Sequence, residues 1–131
     1  MLARSIAPYL VLAACSKTAT VQLVASSCND FATCSAECAE GVVVACDRGG
    51  VLAPDPNARA AIYRRAHDLW GNACNFGNPK ACMTAATDLI RARGVDPATM
   101  PLEALIRDPE ACQYVEVWAT GTGRPLVEPC P

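Results

Sequence analysis

Nine of the 131 residues are cysteine, and no other property of the chain restricts its fold as tightly. That density approaches the level, about 8–10 %, at which composition alone indicates a disulfide scaffold. Two segments, "CAEGVVVAC" (38–46) and "CNFGNPKAC" (74–82), place a pair of cysteines at the same spacing. A metal clamp, a redox pair and a structural staple compete for such pairs. Zinc needs four converging nitrogen or sulfur ligands, commonly supplied as CxxC-type pairs. The chain has no CxxC and His67 is its single histidine, so no metal ligand set is expected. A thioredoxin-like pair also needs CxxC, at a helix start. Structural disulfides remain, and these persist only in an oxidising compartment.

The N-terminus supplies the address. "MLARSIAPYLVLAAC" carries an early Arg4, an apolar run from Ile6 to Ala14, and small residues at its end, which is the layout of a signal peptide. The run is shorter than the roughly 20 apolar residues that a permanent membrane helix needs. Its last four residues, Leu12-Ala13-Ala14-Cys15, resemble the lipobox of bacterial lipoproteins, in which the cysteine is lipidated and becomes the mature N-terminus. That resemblance implies Cys15 as the lipidation site. It also implies an exported protein anchored at the outer membrane or on the periplasmic face, since Ser16 in place of Asp goes with the outer membrane. Three segments are therefore expected: a lipoprotein signal peptide over 1–14, a lipidated N-terminus and flexible tether over 15–30, and a cysteine-rich helical domain over 31–131.

Setting Cys15 aside leaves Cys28, Cys34, Cys38, Cys46, Cys74, Cys82, Cys112 and Cys130, an even set that four disulfides would consume. The formal charge is −2, with Lys and Arg scattered in ones and twos, so no stripe for a nucleic-acid backbone is indicated.

Along the chain, helix punctuation recurs and strand alternation hardly occurs. "SAECAEGVVVACD" reads as a helix over 36–47, with Val42-Val43-Val44 as weak helix formers. Asp55-Pro56 opens a helix over 57–70, with Gly71-Asn72 fraying its end, and Asn78-Pro79 opens another over 79–93 that stops at Gly94. Shorter helices follow over 101–107 and 109–119. The expected fold is all-α: two to three disulfide-stapled antiparallel helix hairpins stacked as a short solenoid.

Internal similarity supports that series. "NPKAC" at Cys82 and "DPEAC" at Cys112 share cap, proline, charge, alanine and cysteine, and eleven residues separate Cys38 from Gly50 as they separate Cys82 from Gly94. With "IYRRA" (62–66), the Cys74/Cys82 pair and "ARGVD" (92–96), the stretch from about 36 to 123 resembles the Sel-one-like repeat family, short α/α repeats related to tetratricopeptide repeats, and in particular its secreted, cysteine-rich members. It departs from the pattern where "HDLWGNA" intervenes before Cys74 and where Ala104 replaces a cysteine. The resemblance implies that a Cys-x7-Cys pair joins the end of one helix to the start of the next. Cys74 and Cys82 would then lie at the pinched end of a hairpin, within the roughly 5.5 Å between Cα atoms that a disulfide requires. Cys130 can return from the C-terminal tail to Cys112. Cys38 and Cys46, if on one continuous helix, would stand about 12 Å apart and could not bond, leaving the pairing among Cys28, Cys34, Cys38 and Cys46 open.

No catalytic motif stands out. His67 on an amphipathic helix reads as a packed or solvated side chain. Gly-x-Ser-x-Gly and the serine β-lactamase motifs are absent. Trp70, Trp118, Tyr63 and Tyr114 sit at helical positions and read as packing residues, with about one in four facing a partner. No cofactor is expected. The implied function is a protein-protein interaction or scaffolding module, membrane-anchored through its lipid, whose partner is another envelope protein. The alternative, by family analogy alone, is a cell-envelope hydrolase directed at peptidoglycan or β-lactams.

Overall fold

The computed structural model describes residues 21–131; Cys15, the expected signal segment and the start of the expected tether lie outside the described residues. The fold is all-α. Among the described residues six helices follow in chain order: α1 (Phe31–Ala39), α2 (Val43–Leu52), α3 (Pro56–Asn75), α4 (Pro79–Ala92), α5 (Leu102–Leu105) and α6 (Pro109–Gly121), with a 3-10 turn at Pro97–Thr99 before α5. The starts are written in the local sequence. Asp55, Asn78 and Asp108 cap α3, α4 and α6, each accepting a backbone N–H of the first turn and each followed by proline at the first helical position, where its missing N–H costs nothing.

The stops share one device. Gly41 has φ 103° and Gly77 φ 96°, a region that side chains with a Cβ rarely enter. At the end of α1, Gly41 N–H donates to the Cys38 carbonyl at 2.9 Å and Val42 N–H to the Glu37 carbonyl at 3.1 Å. At the end of α3, Gly77 N–H donates to Cys74 at 3.1 Å and Asn78 N–H to Ala73 at 3.2 Å. This is the paired closure that satisfies the last carbonyls of a helix.

The expected continuous helix over 36–47 is therefore wrong: the chain turns at Gly41. Val42 is extended, and the run of three β-branched residues Val42-Val43-Val44 offers little resistance to a break. The break is also braced from outside, since Gln22 N–H donates to the Gly41 carbonyl at 2.8 Å and the Gln22 side chain to the Glu40 carbonyl at 2.9 Å. With the helix broken, Cys38 and Cys46 come to 4.7 Å between Cα atoms and are bonded. Cys28 pairs with Cys34, Cys74 with Cys82 and Cys112 with Cys130. The internal correspondence expected from the sequence shifts accordingly. Cys38, Gly41 and Cys46 correspond to Cys74, Gly77 and Cys82, each 36 residues later in the numbering, so Cys38 matches Cys74 and not Cys82.

Residues 21–30, expected within the tether, are tied to the helices by the Gln22 bridge to Val42 and the Cys28–Cys34 bond. Helix α3 runs on past 70, because the expected fraying point Gly71 is buried inside it. A Cβ there would stand 3.2 Å from the Tyr114 hydroxyl, so the bare backbone lets α6 approach.

The helices pack in chain order, α1 on α2, α2 on α3 and α3 on α4, and α4 then packs on α6 across the short α5. Two half-cores result. Cys38, Val43, Cys46, Ile62, Ala66 and Leu69 form one, and Ala86, Leu89, Ile90, Leu105, Ala111 and Val115 the other. Trp70 bridges from the first to the Cys74–Cys82 staple. Gly49 and Gly50 face Ile62 and Tyr63, whereas Val43 and Cys46 cluster with Ala66 and Leu69, so α2 and α3 run in opposite directions. Gly121 abuts Pro79 and Arg93 pairs with Asp108 at 2.6 Å, which opposes α4 and α6 in the same way. The molecule thus has a pinched end, holding the loops at 40–42 and 76–78 and the end of α6, and an open end, holding residues 50–55, 93–96 and 108–110.

Candidate functional site

At the open end a cleft of about 320 Å³ lies between the end of α2, the start of α3 and the end of α4. Glycine makes it. The Tyr63 ring lies on Gly50, where a Cβ would overlap the ring, so α2 passes close enough for its last turn to form one wall. Arg59 and Tyr63 come from successive turns of α3, Arg91 from the last turn of α4, and Gly94, Val95 and Asp96 from the loop beyond. Val51 and Val95 are exposed apolar residues on its lining, and Leu52 is exposed beside them.

The charges are layered. Asp88, fully buried, accepts from the Arg91 guanidinium through Oδ1 at 2.9 Å, and its Oδ2 has no partner among the described residues. Burial first, and the neighbouring Asp47 second, push the Asp88 carboxyl up to about 7 against the opposing pull of Arg91. Asp47, exposed as a residue at the edge of α2, is also shifted upward by partial desolvation, with Arg91 again opposing. The Tyr63 hydroxyl is raised by burial. The Arg91 guanidinium stands 5.9 Å from the Tyr63 ring centre, a cation–π distance, so one arginine is fixed by a carboxylate below and an aromatic face beside it. Arg59 is exposed and has no ion pair among the described residues. The cleft thus presents one pre-oriented guanidinium, a second without an ion pair among the described residues, an aromatic ring and two valines. It holds no adjacent nucleophile and base of the kind that acyl transfer uses.

The residues singled out from the sequence fall elsewhere. The eight described cysteines serve the four bonds. His67 is buried between α3 and α4, its Nδ1–H donating to the Ala85 carbonyl at 2.7 Å and its ring edge-on to Tyr114 at 4.9 Å. Trp70, Tyr114 and Trp118 pack around the half-cores, and of the four large aromatics named, Tyr63 alone lines the cleft. Among the described residues no group of three or more His, Cys, Asp or Glu side chains could hold a metal ion, and no helix is long and apolar enough to cross a membrane.

Sequence reasoning missed Asp88 and Arg91. The signal was present, since Asp88 sits inside the apolar stripe of α4, three residues after Ala85 and directly before Leu89, with an arginine three residues on. A charge within a buried stripe needs a partner. Comparison with family models, with characterised proteins and with solved structures gives no match, so the class of the protein is defined by its own architecture: a disulfide-stapled all-α domain of the kind that oxidising compartments sustain.

Proposed function

We propose that this chain is an envelope lipoprotein, anchored through Cys15, that binds another envelope protein in the cleft at its open end. The observation that carries the reading is the cleft itself. Exposed Val51 and Val95 flank Arg59 and the fixed Arg91, a combination of apolar contact and directed guanidinium groups that suits a peptide segment bearing a carboxylate. Four disulfides support the rigidity such a module uses, because a preformed surface loses little conformational entropy on binding. The Leu-Ala-Ala-Cys boundary supports the anchor, and the C-x2-G-x4-C units 36 residues apart support kinship with cysteine-rich Sel-one-like repeats.

Two variants test the two halves of the proposal. Cys15→Ser abolishes incorporation of labelled fatty acid and releases the protein or leaves its precursor unprocessed; continued labelling contradicts the anchor. Val51→Asp with Arg59→Glu, both at exposed positions, removes the cross-linked partner recovered from envelopes while leaving the disulfide map intact; an unchanged adduct contradicts the cleft. Turnover of muropeptides or a β-lactam by the purified mature protein contradicts a binding role.

A further inference from the structure

The pinched end carries an apolar surface that neither the core nor the cleft uses. Phe76 occupies the loop after α3, between Asn75 and Gly77, and is 91 % exposed. Leu23 is 74 % exposed and Val24 is exposed beside it. Both follow directly on Gln22, which is fixed to the break between α1 and α2. Val117 is exposed on the last turns of α6 and lines a shallow apolar hollow with Cys74, Gly77, Pro79 and Gly121. Register places these groups at one end. Val21 and Trp70 pack on the same half-core, and α3 continues from Trp70 to Phe76 by six residues, about 9 Å of further rise, so the phenylalanine stands at the tip.

We propose that this tip rests on a phospholipid surface, with Leu23, Val24 and Phe76 entering the interface between headgroups and acyl chains, and that the cleft consequently faces away from the membrane. The inference rests on the anchor reading above. Six residues lie between Cys15 and Gln22, and the seven steps from one to the other, at 3.3–3.6 Å each, reach at most about 25 Å. The acyl chains must therefore enter the bilayer close to the end of the domain to which Gln22 is fixed. Helix α3, 20 residues long, spans about 30 Å and sets the open end well apart from that point. The exposed charges at the tip have both signs, with Lys80 and Arg124 against Glu40 and Glu116, so the contact is apolar and needs no anionic lipid.

The test uses the full chain, processed in bacteria, purified from membranes and reconstituted into phosphatidylethanolamine–phosphatidylglycerol vesicles doped with a lipid carrying a diazirine on its acyl tail. After irradiation, peptide mass mapping is expected to find lipid adducts on the segments bearing Leu23–Val24 and Phe76 and none on those bearing Val51 or Val95. Phe76→Ser, at a fully solvated position, is expected to reduce the adduct yield in its own loop roughly tenfold, by analogy with the cost of leaving an aromatic side chain in water. Adducts at Val51 or Val95, or none beyond the N-terminal peptide, overturn the orientation while an acyl mass on Cys15 preserves the anchor. Absence of that acyl mass overturns the anchor and this inference with it. A discrete protein adduct formed in cells from a photoreactive residue at position 76 assigns the tip to a protein and likewise overturns the proposal.

Discussion

Asp88 concentrates the electrostatic strain of the molecule in one side chain. Its Oδ1 is held by Arg91 and its Oδ2 faces no donor among the described residues, so Oδ2 is the oxygen on which a proton costs least. The folded chain keeps that proton up to about pH 7, whereas the unfolded chain releases it near the ordinary 3.8. Between these values the folded state binds more protons, so the stability that Asp88 contributes is full below about pH 4 and is lost as pH rises through 7. Asp47, shifted in the same direction, adds a contribution of the same sign. Asp88→Asn, which keeps an acceptor for Arg91, is expected to flatten the fall in denaturation midpoint between pH 4 and pH 7 and to equal or exceed the parent in stability at pH 7.5. A slope unchanged by the substitution contradicts this account. Gly50 is the second residue on which the site depends. A methyl group there overlaps the Tyr63 ring, so Gly50→Ala is expected to cost about 1–3 kcal/mol through forced displacement of α2 from α3, read as a lowered urea midpoint at constant slope.

Among the elements, the helices opened by Asp-Pro or Asn-Pro were legible because cap and proline fix a start independently of what packs on the helix. For helix α4 the sequence predicts 79–93 and the structure has Pro79–Ala92. The Cys74–Cys82 pairing follows from hairpin placement and the Cys112–Cys130 pairing from the return of the C-terminal tail, and both are present. The α1–α2 break was not read, although Gly41 stands three residues after Cys38 as Gly77 stands after Cys74. An apolar stripe through Cys38, Val42 and Cys46 fits a single helix equally well. What decides against that helix is long-range, namely the Gln22 backbone supplying partners for the broken turn. The cleft is illegible for a similar reason, since Gly50 and Tyr63 are brought together by the glycine contact between α2 and α3, and Arg91 joins them through the packing of α4 on α3. The two staples close rings of equal size, and the chain-entropy model assigns each about 2.5 kcal/mol. Replacing Cys38 and Cys46 by Ala is expected to lower the melting temperature by an amount comparable to replacing Cys74 and Cys82. Loss of stability in the second variant alone would show that the N-terminal hairpin is not an integral part of the fold.

For the whole molecule, the proposed binding cleft and the proposed lipid-facing tip lie at opposite ends. The Arg93–Asp108, Arg93–Glu110 and Arg64–Glu110 pairs join α3, α4 and α6 near the open end. They are mostly exposed, and such pairs contribute little each, so the rigidity that holds the cleft comes from the staples and the two half-cores. The most direct measurement of the binding reading is site-specific photo-cross-linking in living cells, with the photoreactive residue at Val95 on the cleft and, as control, at Gln113 on the exposed face of α6. The account predicts a discrete protein adduct from position 95 that disappears in the Val51→Asp, Arg59→Glu background, and none from position 113. An adduct from position 113 with none from position 95 would contradict it.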